Sequence, residues 1–376
     1  MNFDLGDKEK QIRERLHHLL EADLPGILEN LASNDSHKSR KAMLSAFEKI
    51  ASSGYADLVF SKEGTAVASM AVREELAFIC PALYLSLESG NGLLINLLNS
   101  YGTEQQKQEI LPALKSCKGI GSVAVVEEHG NIEDNPFESS LTDEGNHFTL
   151  SGKKNMVINA AIADWLAVVA MMNSQPALGI VSPDTKGLTI GSRILTLGLE
   201  PSLFYEVNAH GVELLSNNIM GPFEGEAFIS QLRMWEDEIL VGASLGIMRR
   251  AYEAARTHAK THNCGGKPIV AYQEVGFKLA EMLTLVHTAQ LLAYRAAWML
   301  DTRDKERGVL LHCAKVFCAE AAESVASNAV QILGGNGYIR GNKVEQAYRD
   351  AKFIQIAGTS TERARVKIGD SLLEMW

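Results

Sequence analysis

Cysteine is scarce in this chain, and what there is lies scattered. Cys80, Cys117, Cys264, Cys313 and Cys318 form no Cys-x-x-Cys pair and no Cys/His spacing of a zinc site. An odd, dispersed set fits a reducing cytoplasm better than a disulfide framework, and no metal is expected. Long apolar runs are missing too. The longest, residues 165–172, falls far short of the ~20 residues that span a bilayer. The first residues, Met1-Asn2-Phe3-Asp4-Leu5, carry no apolar signal segment. Nor is there a basic surplus. The net charge of −10 argues against nucleic acid or an anionic membrane as partner. No internal repeat or low-complexity linker breaks the 376 residues, enough for two or three domains. Apolar content of 46% and charged content of 22% are those of an ordinary soluble globular protein.

What is present divides into three textures. Up to about residue 118 the signals are helical. Asp7 can cap a helix whose Ile12, Leu16, Leu19 and Leu20 share one face. A second stripe through Met43, Leu44, Phe47, Ile50 and Ala51 stops at Gly54. Thr103 and Gln106 have capping-box spacing. From 119 to 228, short alternating or β-branched runs broken by turn residues predict strands at 122–126, 147–150, 165–171, 178–181 and 207–214. Helical periodicity then returns over 237–258, 272–300 and 309–333, as in a helix bundle. The expected fold is multidomain α+β: an all-helical part over 1–118, a β domain over 119–228 and a four-helix-bundle-like part over 229–376. Trp165 and Trp298 fall in apolar patterns and are expected in the core.

The chemistry-bearing residues cluster near the C-terminus. Gln331-Ile332-Leu333-Gly334-Gly335-Asn336-Gly337-Tyr338, Tyr348-Arg349-Asp350-Ala351-Lys352 and Ile356-Ala357-Gly358-Thr359-Ser360 follow one another in an order and spacing that resemble the C-terminal signature of the acyl-CoA dehydrogenase family, which are FAD-dependent enzymes. Tyr101-Gly102-Thr103-Glu104-Gln105-Gln106-Lys107 with Leu111-Pro112 resembles the segment that closes that family's helical N-terminal domain. The resemblance covers essentially the whole chain and implies the same helical, β, helical order.

It also implies a reaction, the α,β-dehydrogenation of an acyl thioester carried on CoA or on a carrier protein. A carboxylate takes the α-proton while a hydride leaves the β-carbon for the flavin N5, and the backbone N–H just before Gly-Thr-Ser supports the developing enolate. Many relatives place the catalytic glutamate at that position. Here it is Ala357, which retains only the N–H. Other members carry the base on the helix that opens the C-terminal domain, together with a small residue before Gly-Thr-Ser. Ungapped counting back from Leu245-Gly246-Ile247-Met248 puts that position on Glu236, with Glu238 in reserve. On its own, Glu236 in the run Glu236-Asp237-Glu238 reads as solvated surface charge. Relatives usually carry Arg where this chain has Asp237.

The cofactor contacts implied by the resemblance are more altered. Val126-Glu127-Glu128 and Asn131-Ile132-Glu133 stand where relatives have Thr-Glu-Pro and Gly-Ser-Asp. In Gly152-Lys153-Lys154-Asn155-Met156-Val157-Ile158-Asn159, Met156 replaces an aromatic and Ile158 a hydroxyl. His262 replaces an Arg that would hold the pyrophosphate. Gln273, Gln331, Gly334, Gly335 and Thr359 match the family's FAD positions, the glycine loop serving the FAD of a neighbouring subunit. A glycine loop alone reads equally as a helix C-cap. Two alternatives stand beside the dehydrogenase: an oxidase or monooxygenase on the same fold, and a flavin-free relative kept for binding or assembly. A cytoplasmic homodimer or homotetramer and an electron-acceptor flavoprotein are further implied. The altered motifs point to a specialised member, such as one forming aminomalonyl or hydroxymalonyl units on a carrier protein.

Overall fold

A computed structural model of the chain describes residues 6–61, 64–130, 132–133, 137–302 and 306–374. Its N-terminal part is helical: α1 (Asp7–Leu20), α2 (Leu24–Leu31), α3 (Ser36–Ser52), α4 (Tyr55–Val59), α5 (Ala66–Ile79), α6 (Pro81–Leu85), α7 (Leu93–Tyr101) and α8 (Glu104–Lys115). Gly6, not Asp7, sits at the cap of α1, and Asp7 lies in the first turn, where its charge favours the helix dipole. The α3 stripe packs as expected, and Gly54 turns the chain with φ of 93°. Thr103 and Gln106 form the capping box: Gln106 N–H donates to Thr103 Oγ1 at 3.2 Å and Thr103 N–H to Gln106 Oε1 at 2.9 Å. The Gln106 amide also donates to Asn217 O and Ile219 O, fastening α8 to the sheet.

Between α6 and α7 the chain widens into a π-helical turn, Ser86–Gly92. Such turns gather at functional sites. Gly90 allows its close approach to the sheet, since a Cβ there would lie 2.6 Å from Gly121 O. Asn159 Nδ2 donates to Ser86 O at 2.8 Å and holds the turn in place.

The middle of the chain is one mixed sheet of β1 (Gly121–Ala124), β2 (Ser140–Asp143), β3 (Phe148–Ile158), β4 (Trp165–Met172), β5 (Gln175–Val181), β6 (Leu188–Arg193), β7 (Phe204–Leu214) and β8 (Ile219–Met220). The strands run in the order β6-β7-β3-β2-β4-β5-β8, with β1 added to β4 in parallel. β2 and β6 have no signal in the alternation. β2 spans four residues, and β6 is a half-buried edge strand with no clean inward face. The β3–β7 register shifts between Lys154 and Val157, and there Met156 takes φ of 53°.

The C-terminal part comprises α9 (Gly225–Thr261), α10 (Gln273–Thr302), α11 (Arg307–Leu333), α12 (Lys343–Ile356) and α13 (Thr361–Glu374), with a small hairpin of β9 (Asn263–Cys264) and β10 (Lys267–Pro268) between α9 and α10. α9 begins a dozen residues before the periodicity shows it, because Gly225–Glu236 is polar on several sides. Trp165 is half-buried, and Trp298 is 37% exposed on α10, so neither is the full core residue expected. No helix among the described residues is long and apolar enough to cross a membrane.

Glu75 ties the two helical parts together. Buried on α5, it accepts from Arg13 and His17 of α1 and from Arg249 of α9. Burial would raise its carboxyl, but His17, Arg249 and Arg13 together bring it down to about 2. A depressed carboxylate contributes stability that is full above its unfolded value near 4.5 and lost as pH falls towards 2. Glu75→Gln is therefore expected to cost about 3 kcal/mol at pH 6. That gap should shrink to roughly half near pH 3 in urea unfolding followed by helical circular dichroism. A gap constant between these pH values would contradict the ion-pair account.

Candidate active site

A cleft of about 280 Å³ opens where the sheet, the π-helical turn, α9 and the end of α12 meet. One wall is apolar and comes from the sheet: Val123, Val125, Val126, Met156 and Ile158. Ser89 comes from the π turn, Leu85 and Leu93 from the helices on either side of it, and Glu236, Leu240 and Arg233 from α9. Ile356, Ala357 and Gly358 close the far side. Glu236 and Ala357, 121 positions apart in the chain, thus line the same cleft.

Glu236 is not a surface acid. Its side chain is 18% exposed and accepts from Arg233 Nη1 at 2.6 Å, one helical turn back. Burial raises its carboxyl above the ordinary range, and Arg233 offsets part of that rise. A carboxylate facing an apolar cleft with a raised pKa is suited to taking a proton from carbon. Glu238, the reserve, does not face this cleft. It pairs with Arg73 and lines a neighbouring cavity.

The backbone donor expected at Ala357 is already engaged. Its N–H donates to Phe353 O at 3.0 Å, the last bond of α12. Ala357, given by the resemblance as a backbone donor to the enolate, thus also closes the last turn of α12, as a residue at a helix C-cap normally does. The next N–H is that of Gly358, which lines the cleft with φ of 62° and has no recorded hydrogen-bond partner among the described residues. Gly358 is also sterically required, since a Cβ would lie 2.7 Å from both Asp237 Oδ1 and Leu240 Cδ1.

The turn is held from beneath by two residues without any sequence signal. Asp237, fully buried, accepts from Thr359 N–H at 2.9 Å through Oδ1, and its Oδ2 lies 3.5 Å from His312 Nδ1. Lys315, fully buried on α11, donates to Ile354 O at 2.6 Å, Ala357 O at 3.1 Å and Thr359 O at 3.0 Å. Asp237, where relatives carry Arg, thus fastens the Gly358-Thr359 turn. Behind the sheet wall a second buried pair, Lys154 Nζ on Glu127 Oε1 at 2.6 Å, with Lys154 also donating to Val125 O, holds the Val125–Glu127 segment that follows β1.

The remaining predicted positions are not in the cleft. His262 sits at the exposed tip beyond α9, its ring 4.7 Å from that of His258, and Gln273 starts α10 nearby. Gln331, Gly334 and Gly335 lie exposed at the end of α11. Thr359 flanks the cleft from the turn, but is not among its lining residues. Asn131 lies outside the described residues.

Family models for the acyl-CoA dehydrogenase N-terminal domain and C-terminal domain match residues 6–118 and 235–373. An acyl-CoA dehydrogenase of Bacillus subtilis is 32% identical over 80% of each chain. A probable acyl-CoA dehydrogenase of the same organism is 28% identical over the full length of both. Butyryl-CoA dehydrogenase from Megasphaera elsdenii superposes with a TM-score of 0.89 over 99% of this chain and 100% of its own, at 24% identity. The chain belongs to the acyl-CoA dehydrogenase family, and it is accordingly an FAD-dependent oxidoreductase of the acyl-CoA dehydrogenase type.

The cleft fits a flavin on two observations. The Val123–Ile158 face is a broad apolar wall of the kind a flat ring system packs against, with the Met156 thioether available to an aromatic face. The Thr359 Oγ1 beside it is buried without a hydrogen-bond partner among the described residues, a polar atom that a ligand group would satisfy.

Proposed function

We propose that the chain oxidises a short acyl thioester, with Glu236 as the base that removes the α-proton. The observation that carries this reading is the meeting of a buried carboxylate, Glu236, with the Ala357-Gly358 turn across one small apolar cleft. Bound FAD supplies the hydride acceptor. The chain's own contribution is positional. Glu236 is kept near the substrate α-carbon by Arg233, and Gly358, which lines the cleft, supplies its N–H to the thioester oxygen as charge develops there. The apolar wall excludes water from the carbanion.

Val126, Met156, Ile158 and Thr359 would hold the flavin in this chain. His262, Gln273, Gln331, Gly334 and Gly335 are exposed and away from the cleft. They fit the contacts that a second copy would make with the same cofactor, in a homodimer or homotetramer working in the cytoplasm with an electron-accepting flavoprotein. The thioester arm is that of CoA or of a carrier protein, and a three-carbon extender unit is one acyl group of this class.

The test is exchange of the α-protons of a short acyl-CoA into D₂O by the FAD-loaded protein, read by NMR. Exchange that requires Glu236 is expected. No exchange of any short acyl-CoA or carrier-bound thioester would overturn the reading.

A further inference from the structure

Arg233 is more than a neighbour of the base. It is 4% exposed, yet it lines a cleft whose other side chains are, apart from Glu236 and Ser89, apolar. Among the described residues its guanidinium makes one hydrogen bond, Nη1 to Glu236 Oε2 at 2.6 Å. Nε is buried and has no hydrogen-bond partner among the described residues. The nearest acid to it, Glu133, has Oε1 at 3.9 Å, beyond hydrogen-bond reach. Glu133 also accepts from Lys367 at 2.6 Å and Arg363 at 3.1 Å on α13, so towards Arg233 it is a longer-range ion-pair partner that leaves the Nε hydrogen bond unmade.

Taking a guanidinium out of water and leaving a donor unmatched is costly. An apolar side chain at this position would line the cleft without that cost. An unmatched buried donor in a native structure calls for a role or a missing partner, and beside a ligand cleft the ligand can be that partner. Arginine suits the task because its fork can hold one carboxylate and still present further N–H groups to another acceptor.

We propose that Arg233 is a specificity residue that donates to a hydrogen-bond acceptor on the acyl group, a hydroxyl or carboxylate oxygen, so that this site selects polar short-chain acyl thioesters over plain alkyl ones. The inference rests on the cleft being the acyl site. Because Nη1 already fixes Glu236, a substrate engaging the same guanidinium is placed with its α-carbon beside the base. One residue thereby reads the substituent and sets the reacting geometry.

The test is equilibrium binding to the FAD-loaded protein, followed through the flavin absorption spectrum. Butyryl-CoA is compared with 3-hydroxybutyryl-CoA and with succinyl-CoA. The wild type is expected to bind at least one of the polar thioesters ten-fold or more tightly than butyryl-CoA. Arg233→Met should remove that preference while butyryl-CoA still binds. Arg233→Lys, which retains a charge that can face Glu236 but loses the fork, guards against a variant that fails to fold or load FAD, and should also lose most of the preference. Tighter binding of butyryl-CoA by the wild type, or a polar preference that survives both substitutions, would overturn the proposal. Failure of the base assignment shows up separately, as undiminished turnover in Glu236→Gln with binding preferences intact.

Discussion

Replacing Glu236 with Gln is expected to lower turnover of a short acyl thioester by on the order of 10²–10⁴-fold, the usual contribution of a positioned general base. Flavin content should be unchanged. The amide is the same size and its oxygen can still accept from Arg233 Nη1, so the ion-pair geometry of 2.6 Å loses charge but keeps its shape. The two forms should also differ in pH dependence. Burial raises the Glu236 carboxyl, with Asp237 and Glu133 adding to the rise and Arg233 opposing it. The base works only when ionised, so wild-type kcat/KM should fall as pH drops through a value above the ordinary glutamate range. In the Gln variant that acidic limb should vanish. A dye-linked assay of both proteins across pH checks this. Equal rates in the two would remove Glu236 from the chemistry.

Lys315→Met is expected to lower stability by about 3 kcal/mol and to loosen FAD. Burial pushes the Lys315 ammonium down from 10.5 to about 8, and removing such a buried charge can by itself stabilise a protein. Here its partners are main-chain oxygens of Ile354, Ala357 and Thr359, which stay behind when the lysine goes. Each buried carbonyl left without a donor costs roughly 1–3 kcal/mol, and three of them outweigh the recovered desolvation of about 3 kcal/mol. The damage falls on the turn carrying Gly358 and Thr359, so flavin retention during gel filtration should drop with the urea midpoint. An unchanged midpoint and full flavin retention would mean that the turn does not depend on Lys315.

Much of the architecture was legible because it follows local rules. The capping box at Thr103, the stop at Gly54 and the long apolar faces of α9 to α11 are set by nearest-neighbour chemistry. The strands with clean alternation were readable too, and β2, β6 and the two-residue β8, which lack it, were not. The pairing of Glu236 with Ala357 came from likeness to relatives; nothing in the run Glu236-Asp237-Glu238 distinguishes a cleft-facing acid from a surface one. Helix geometry separates them: successive residues point about 100° apart. That sends Glu236 to the cleft, Asp237 to the Thr359 turn and Glu238 to Arg73. Asp237 looked like a mismatch because its partner lies 122 residues away. Lys315 was hidden inside an apolar helix, where its fixing of the turn is visible only once α12 folds back over α11. The π-helical turn at Ser86–Gly92 was equally hidden, since Ser-Leu-Glu-Ser-Gly-Asn-Gly reads as a helix breaker.

The central claim is that one cleft holds both the flavin and an ionised Glu236 against an acyl thioester. The most direct measurement is the absorbance of the FAD-loaded protein near the flavin's visible band after anaerobic addition of 3-hydroxybutyryl-CoA, succinyl-CoA or butyryl-CoA. The account predicts that at least one bleaches the wild-type band and that Glu236→Gln, with the same flavin content, bleaches slower by on the order of 10²-fold or more. A wild-type spectrum untouched by all three, or bleaching at the same rate in the variant, would contradict it.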